Sequence, residues 1–329
     1  VGQTELIPIK DTGYNVVGYL PTGNDTTVVI GAHFDHLGWG GKGSSRYLGK
    51  EKKIHYGADD NASGTAAMME LARHFASIKS QLRYSILFAA FSGEEAGILG
   101  SAWYVRHWTI DSSKIRMMVN LDMVGRLRAQ DKGLAIFGTG TCADFKQYFD
   151  STLTDSTMKL SFQESGTAPS DVTAFYNNGI PVLFFFTGQH EDYHKPEDVV
   201  DKVDTHGVVQ VTNLVERIVN HFDQAGGHLA FLKTKDPEGG RMKSFSVSLG
   251  VMPDYVATVK GMRVDGVSPD RPAEKAGILK GDVIIQMGQY KIDDIYAYMS
   301  SLGKFRKGDS CQVTLERNAD TLQVMVHFK

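Results

Sequence analysis

Cysteine is nearly absent. The 329 residues contain only Cys142 and Cys311, far apart in the chain, so neither a disulfide framework nor a cysteine-ligated zinc site is expected. Basic runs and stripes are also missing and the formal net charge is -3, which excludes the electrostatic footprint of a nucleic-acid-binding protein. No apolar stretch is long enough to span a membrane. The chain begins at Val1 with neither an initiator methionine nor a signal peptide, as a mature or shortened form would. What remains is ordinary globular composition, 42% hydrophobic and 22% charged, over a length sufficient for two separate cores.

The first two thirds of the chain alternate apolar runs with helical periodicity. Buried strands are predicted at Val28–Ile30, Ser85–Phe91, Met117–Leu121, Leu134–Phe137 and Pro181–Phe186. Apolar positions three and four apart predict helices through Met68, Leu71, Phe75 and Ile78, from Ile98 to His107, and from His206 to Phe222. Strands apolar on both faces, separated by helices, imply an α/β sheet covered on both sides. Composition changes after Leu232: residues 233–240 are charged and rich in turn formers, and short period-two strands follow, including Phe245–Leu249, Gly261–Val264, Val283–Ile285, Gln312–Leu315 and Leu322–Val326. The predicted organisation is a larger α/β domain over 1–230, a linker over 231–244 and a small β-rich domain over 245–329.

Metal-capable side chains recur just beyond the buried strands, at the sheet edge where open α/β folds bind ligands. His33, Asp35 and His36 follow the first strand, and Asp59-Asp60-Asn61 opens a helix. Glu94-Glu95 follows the second strand, Asp122 ends the third, and His194 lies beyond the strand ending at Phe186. Each has an ordinary reading taken singly. A strand-end histidine is commonly a surface group, Asp60 can cap the helix it precedes, and a Glu-Glu pair suits a helix N-terminus. Asp122 fits such a reading least, because a carboxylate buried without a partner is costly. With one donor taken from each of these five segments, two histidines and three carboxylates exceed the needs of one catalytic zinc and fit two metals sharing one carboxylate.

These segments, Gly31–Asp35, Gly57–Gly64, Phe91–Glu95, Val119–Met123 and Tyr193–Asp198, occur in the order found in the M28 zinc aminopeptidases, which the chain resembles from about Asn15 to Phe222. The resemblance implies a three-layer α/β/α domain with a mixed central sheet, and two Zn2+ ions per chain. His33 and Asp122 would hold one, Glu95 and His194 the other, and Asp59 would bridge them. Glu94 would be the general base, Asp35 would orient the His33 imidazole, and Asp60 would support the site from outside the ligand set. Substrates would be peptides with a free N-terminus. Ser170–Phe175 resembles a substrate-side segment of the family, but Val172 stands where histidine is usual, so Asp171 and Phe175 read equally as a helix cap and a core aromatic.

His190–His194 also matches H-E-x-x-H, the single-zinc protease pattern, which requires a helix. Gly188 before it, Pro196 after it and the lack of an apolar helical period predict a loop instead. From Phe245 onward the chain resembles a PDZ domain of the bacterial protease-associated type, chiefly through Ala276-Gly277-Ile278 and Gly281–Ile284. The amides of Leu249, Gly250 and Val251 would then hold the C-terminal carboxylate of a bound peptide; a brace packed on the peptidase domain is the equal alternative. The resemblance further implies export to the periplasm, envelope or exterior, and further chain ahead of Val1. Competing functions are a PDZ scaffold with an inactive peptidase, and the carboxypeptidase, dipeptidase or glutaminyl cyclase activities found in the same family.

Overall fold

The computed structural model describes residues 12–40, 45–127, 133–152, 158–234, 247–254, 257 and 259–328. In chain order the first domain comprises β1 (Val16–Leu20), β2 (Thr27–His33), α1 (Gly64–Ser77), β3 (Ser85–Phe91), α2 (Leu99–Tyr104), β4 (Ile115–Leu121), β5 (Gly133–Phe137), α3 (Ala143–Thr152), β6 (Lys159–Gln163), α4 (Val172–Tyr176), β7 (Val182–Phe186) and α5 (Thr205–Ala225). Its seven strands lie in the order β1-β3-β2-β4-β7-β5-β6. The central strands β3, β2, β4 and β7 are parallel. β1 runs antiparallel to β3, and β5 antiparallel to β7. The carboxyl ends of four parallel strands therefore open on one edge.

Alternation along the strands builds two cores. Val28, Ile30 and Ala32 of β2 pack with Leu71 and Phe75 of α1 and with Leu214 and Ile218 of α5. Val29 of β2, with Leu87 and Ala89 of β3, faces Tyr104 of α2 and Phe175 of α4 across the other side. Both faces of the sheet are covered, which is why these strands read as continuous apolar runs. α5 begins where the Asp204 carboxylate accepts a hydrogen bond from the Gly207 N–H at 2.9 Å, an N-cap.

The second domain has its own core, including Leu249, Val264, Ile284, Val313 and Leu315. It contains β8 (Val251–Pro253), β9 (Met262–Val267), α6 (Pro272–Lys275), β10 (Val283–Met287), β11 (Tyr290–Lys291), α7 (Ile295–Leu302), β12 (Ser310–Arg317) and β13 (Asp320–His327), paired as β13-β12-β10-β9-β8 with β11 on β10. Two sequence expectations shift here. Of the strand expected at Phe245–Leu249, Phe245 and Ser246 lie outside the described residues, and the sheet is entered only at Val251. The predicted linker also starts late. Phe231 packs on Tyr176 with ring centroids 5.4 Å apart, the Leu232 N–H donates to Thr141 O, and Thr234 Oγ1 lies 2.8 Å from the Tyr176 hydroxyl, so residues 231–234 dock on the first domain. Residues 235–244 of that linker lie outside the described residues.

Candidate metal centre

The residues singled out at the strand ends converge. His33 closes β2, Asp122 follows β4, Glu94 and Glu95 follow β3, and His194 comes from the segment after β7. His33 Nε2 lies 3.3 Å from Asp122 Oδ1 and 3.4 Å from Asp60 Oδ1. On the other side His194 Nε2 lies 3.2 Å from Asp60 Oδ2 and 3.1 Å from Glu95 Oε2. The two oxygens of Asp60 thus face two different donor sets. Donors held ~2.0–2.1 Å from a tetrahedral zinc stand ~3.3 Å from one another, so these separations match the edges of such a polyhedron.

This corrects the sequence reading of the Asp59-Asp60 pair. Asp60, expected to cap a helix or support the site from outside, occupies the shared position, and Asp59, expected to bridge, does not. The backbone leaves helical geometry at Asp60 (φ -104°, ψ 90°) and Asn61 (φ -133°, ψ 45°), which turns neighbouring carboxylates in different directions. Asp59 Oδ1 accepts from the Gly125 N–H at 2.6 Å and from Ser63 Oγ at 2.9 Å, while its Oδ2 faces His190 Nε2 at 3.2 Å. The cap for this turn comes from a residue given no role in the sequence, Asp198, whose Oδ2 accepts from the N–H groups of Asp59 and Asp60 at 3.0 and 3.1 Å. Arg126 Nη2 donates to Asp198 Oδ1 at 3.1 Å.

Supporting groups fix the donors. Asn61 Nδ2 donates to Leu121 O at 3.0 Å, and its Oδ1 accepts from the N–H groups of Gly64 and Met123, tying the Asp60 turn to the end of β4. Ser170 Oγ donates to Asp122 Oδ2 at 2.7 Å, leaving Oδ1 toward His33. The His33 Nδ1 position is set by the Asp35 backbone carbonyl at 3.1 Å; the Asp35 carboxylate, expected to do this, is 3.8 Å away and instead accepts from the N–H groups of Glu94 and Glu95. Asp171 sits at the N-cap of α4 without a capping hydrogen bond, and Phe175 is fully buried. His190 and His194 lie in a turn, not a helix, and His194 has φ 57°, as expected from the flanking glycine and proline. A Cβ on Gly64 would come within 2.3 Å of Asn61 Oδ1 and 2.4 Å of Leu121 O. Gly64→Ala is therefore expected to cost about 1–3 kcal/mol by overpacking, measurable as a lowered urea midpoint with unchanged slope.

The electrostatics favour bound cations. Asp60 and Asp122 are buried, Glu95 is half-buried, and all three meet histidines. Burial pulls the His194 imidazole down, but Asp60 and Glu95 override it and raise its pKa to about 10. His33 is likewise raised well above its usual value, against burial, chiefly by Asp122. Burial pushes the Glu94 carboxyl up to about 9, opposed by His33 and reinforced by Asp122, Asp171 and Asp60. Sites that hold a proton this firmly on imidazole are sites that attract positive charge, and imidazole with carboxylate suits Zn2+. Glu94 lines a cavity of ≈ 60 Å³ with His33, Asp60 and Asp122, whose apolar wall includes Met123, Phe137, Phe184 and Phe186. A hollow of ≈ 630 Å³ lined by Cys142, Lys146 and Asp150 contains none of these donors.

In the second domain Leu249 is fully buried and its carbonyl accepts from the Ala273 N–H. Gly250 has φ 81°, its N–H donates to Ser248 Oγ at 3.1 Å, and a Cβ there would lie 2.1 Å from Arg271 Cβ. The glycine is thus required by packing against Arg271, and its amide is already paired within the loop. Val251 enters the sheet opposite Val267. Arg46 of the first domain donates from Nη2 to Ser268 Oγ at 2.7 Å, and its backbone N–H donates to His194 O at 2.9 Å. One residue therefore links the loop carrying His194 to the second domain. Arg46→Ala is expected to separate the thermal transitions of the two domains, checked by calorimetry.

An α/β sheet whose carboxyl-end crevice gathers paired carboxylates and imidazoles has the donor chemistry of a metal-binding site. The chain belongs to Peptidase family M28, whose profile matches residues 15–219, and a PDZ domain profile matches residues 244–328. It is 32% identical over 174 residues to Aminopeptidase YwaD of Bacillus subtilis, covering 50% of this chain and 37% of that protein. It is 24% identical over 223 residues to a probable leucine aminopeptidase of Trichophyton verrucosum, covering 65% of this chain and 57% of that protein. The chain thus spans about half the length of these relatives. The solved structure of BSAP, a zinc aminopeptidase from Bacillus subtilis, superposes with a TM-score of 0.52 at 25% identity, over 67% of this chain and 52% of that one. A glutaminyl cyclase from Bacteroides thetaiotaomicron shares the fold at 18% identity and a TM-score of 0.51, so the fold alone does not fix the reaction.

Proposed function

We propose that the protein is a two-zinc aminopeptidase that removes apolar N-terminal residues from peptides. The observation that carries this reading is Asp60, whose oxygens face separate donor sets 3.2–3.4 Å away. His33, Asp122 and Asp60 would hold one ion, and Glu95, His194 and Asp60 the other. When bound, the zinc ions supply Lewis acidity, making a water nucleophilic near neutral pH and polarising the scissile carbonyl. Glu94, at the cavity wall, takes the proton from the attacking water and delivers it to the departing amine. Its high affinity for protons in the metal-free protein falls when cations stand beside it, which leaves it free to act as a base. Asp35 fixes the Glu94 backbone, and Ser170 keeps Asp122 turned toward His33. The acidic lining favours the cationic N-terminus of a peptide, and Met123, Phe137, Phe184 and Phe186 form a wall suited to an apolar side chain. The names of the leucine aminopeptidase relatives agree with that preference.

The PDZ domain is proposed to act on the same centre, because Arg46 joins Ser268 to the backbone of His194. Peptide capture by the Leu249–Val251 loop would be felt along that link. The test is zinc content together with amino-acid release from matched free and N-acetylated peptides. About two zinc ions per chain with turnover only of the free peptides supports the proposal; equal cleavage of both peptides, or cyclisation of N-terminal glutamine without hydrolysis, rejects it.

A further inference from the structure

Arg46 and Arg271 come from different domains and meet without a carboxylate between them. Arg46 is half-buried in the loop after β2, and Arg271 is exposed just before α6. Ser268 brings them together. Its Oγ accepts from Arg46 Nη2 at 2.7 Å, and its N–H donates to Gly250 O at 2.8 Å. A Cβ on that same Gly250 would lie 2.1 Å from Arg271 Cβ. Among the described residues neither arginine forms an ion pair. Burial lowers the Arg46 guanidinium from its usual pKa, Tyr193 opposes this, and Arg271 adds to it. A guanidinium carries a planar fork of N–H donors that matches a carboxylate. Arg46 gives one donor to Ser268, and its neighbour is a second cation, not an anion.

The other end of this arrangement is the metal cleft. The Arg46 N–H donates to His194 O at 2.9 Å, and Tyr193 stacks on the His194 ring with centroids 3.8 Å apart. Tyr193 also forms part of the cavity wall with Glu94 and Asp122. The cleft is therefore acidic at the metal donors and cationic beyond Tyr193. An unblocked short peptide has the complementary polarity, with an ammonium at one end and a carboxylate at the other.

We propose that Arg46, with Arg271 of the second domain beside it, is the subsite for the C-terminal carboxylate of a short peptide substrate. The assignment rests on the aminopeptidase reading above. It makes the PDZ domain a part of the peptidase cleft that sets substrate length. Ser268 holds the Arg46 fork in place, the substrate ammonium enters among the acidic donors, and its carboxylate meets the two arginines. A peptide extends by ~3.3–3.6 Å per residue, so a chain of a few residues places both ends at once and a longer one overshoots the arginines.

The test is steady-state cleavage by the zinc-loaded full chain of tri-, tetra- and decapeptides sharing one N-terminal residue, each as free acid and as C-terminal amide. Short free acids should have a KM ~10–100-fold below that of their amides, the worth of a charge-assisted hydrogen bond, and the decapeptides should show no such difference. In Arg46→Gln and Arg271→Gln the acid and amide KM values of the short peptides should converge, and Arg271→Glu should favour the amides. Arg271 is exposed, so its variants keep the test decisive if Arg46→Gln does not fold. Equal KM for acids and amides at every length, with free N-termini still cleaved, would overturn the subsite and leave the aminopeptidase reading standing. An acid preference as strong in decapeptides as in short peptides would assign the carboxylate to a strand in the PDZ groove and also overturn it. Equal cleavage of N-acetylated peptides, or no cleavage of any, would overturn both readings.

Discussion

Replacing Glu94 by glutamine is expected to abolish turnover, with kcat lower by roughly 10²–10⁴-fold, while both zinc ions remain bound. The side chain keeps its volume and its place on the cavity wall with His33, Asp60 and Asp122, but an amide cannot accept the proton of the attacking water. The neighbouring Glu95 is left intact and keeps its contact with His194 at 3.1 Å, so metal content separates loss of a base from loss of a ligand. Parallel measurement of zinc per chain and kcat checks this. Loss of zinc along with activity would move Glu94 into the ligand set, and retention of activity would remove it from the mechanism.

The second large effect concerns the adjacent aspartates. On the two-zinc proposal, Asp60→Asn is expected to weaken binding of both ions by more than ~100-fold, because one carboxylate would serve two centres. Asp59→Asn should leave zinc content at the wild-type level. Its carboxylate works as an acceptor for the Gly125 N–H and the Ser63 hydroxyl, and an amide oxygen can still accept both. Burial moreover holds the Asp59 carboxyl above its usual pKa, against His190 and the Gly125 and Ser63 hydrogen bonds, so a neutral replacement suits it. Zinc analysis of the two variants after dialysis decides. The opposite pattern, with Asp59→Asn stripping the ions and Asp60→Asn keeping them, would return the bridge to Asp59.

The legibility of this centre in the sequence followed the strands. His33, Asp122 and the Glu94-Glu95 pair could be found because each directly follows a fully apolar run, and a polar group there must lie at the sheet edge. Asp59 and Asp60 could not be told apart, since neighbours of identical chemistry differ only in the backbone angles at Asp60 and Asn61. Asp198 acts through loop contacts that no periodicity encodes. β1, which lies largely exposed at one sheet edge, and the half-polar β6 at the other were illegible for a related reason. Without two buried faces they lack the continuous apolar run that marks β2 or β7. The second domain was read from its Gly277 and Gly281 turns and the flanking apolar residues. Its loop at Leu249–Val251 was recognisable as a segment, but the pairing of the Gly250 amide with Ser248 was not.

Asp198 lies four residues beyond His194 in the same loop and holds the backbone of Asp59 and Asp60 from there. The donors are therefore drawn from segments far apart in the sequence of the first domain, and the full set is complete only once β7 and its following loop have joined the sheet. Zinc binding would in this way report on completed folding of the whole first domain. Ions that bind only the assembled state stabilise it by mass action, so in Arg46→Ala, where the two domains melt apart, a chelator should lower one thermal transition, that of the first domain. The second domain, with a separate core around Val264 and Leu315, would melt as before and serve as an internal reference within the same molecule.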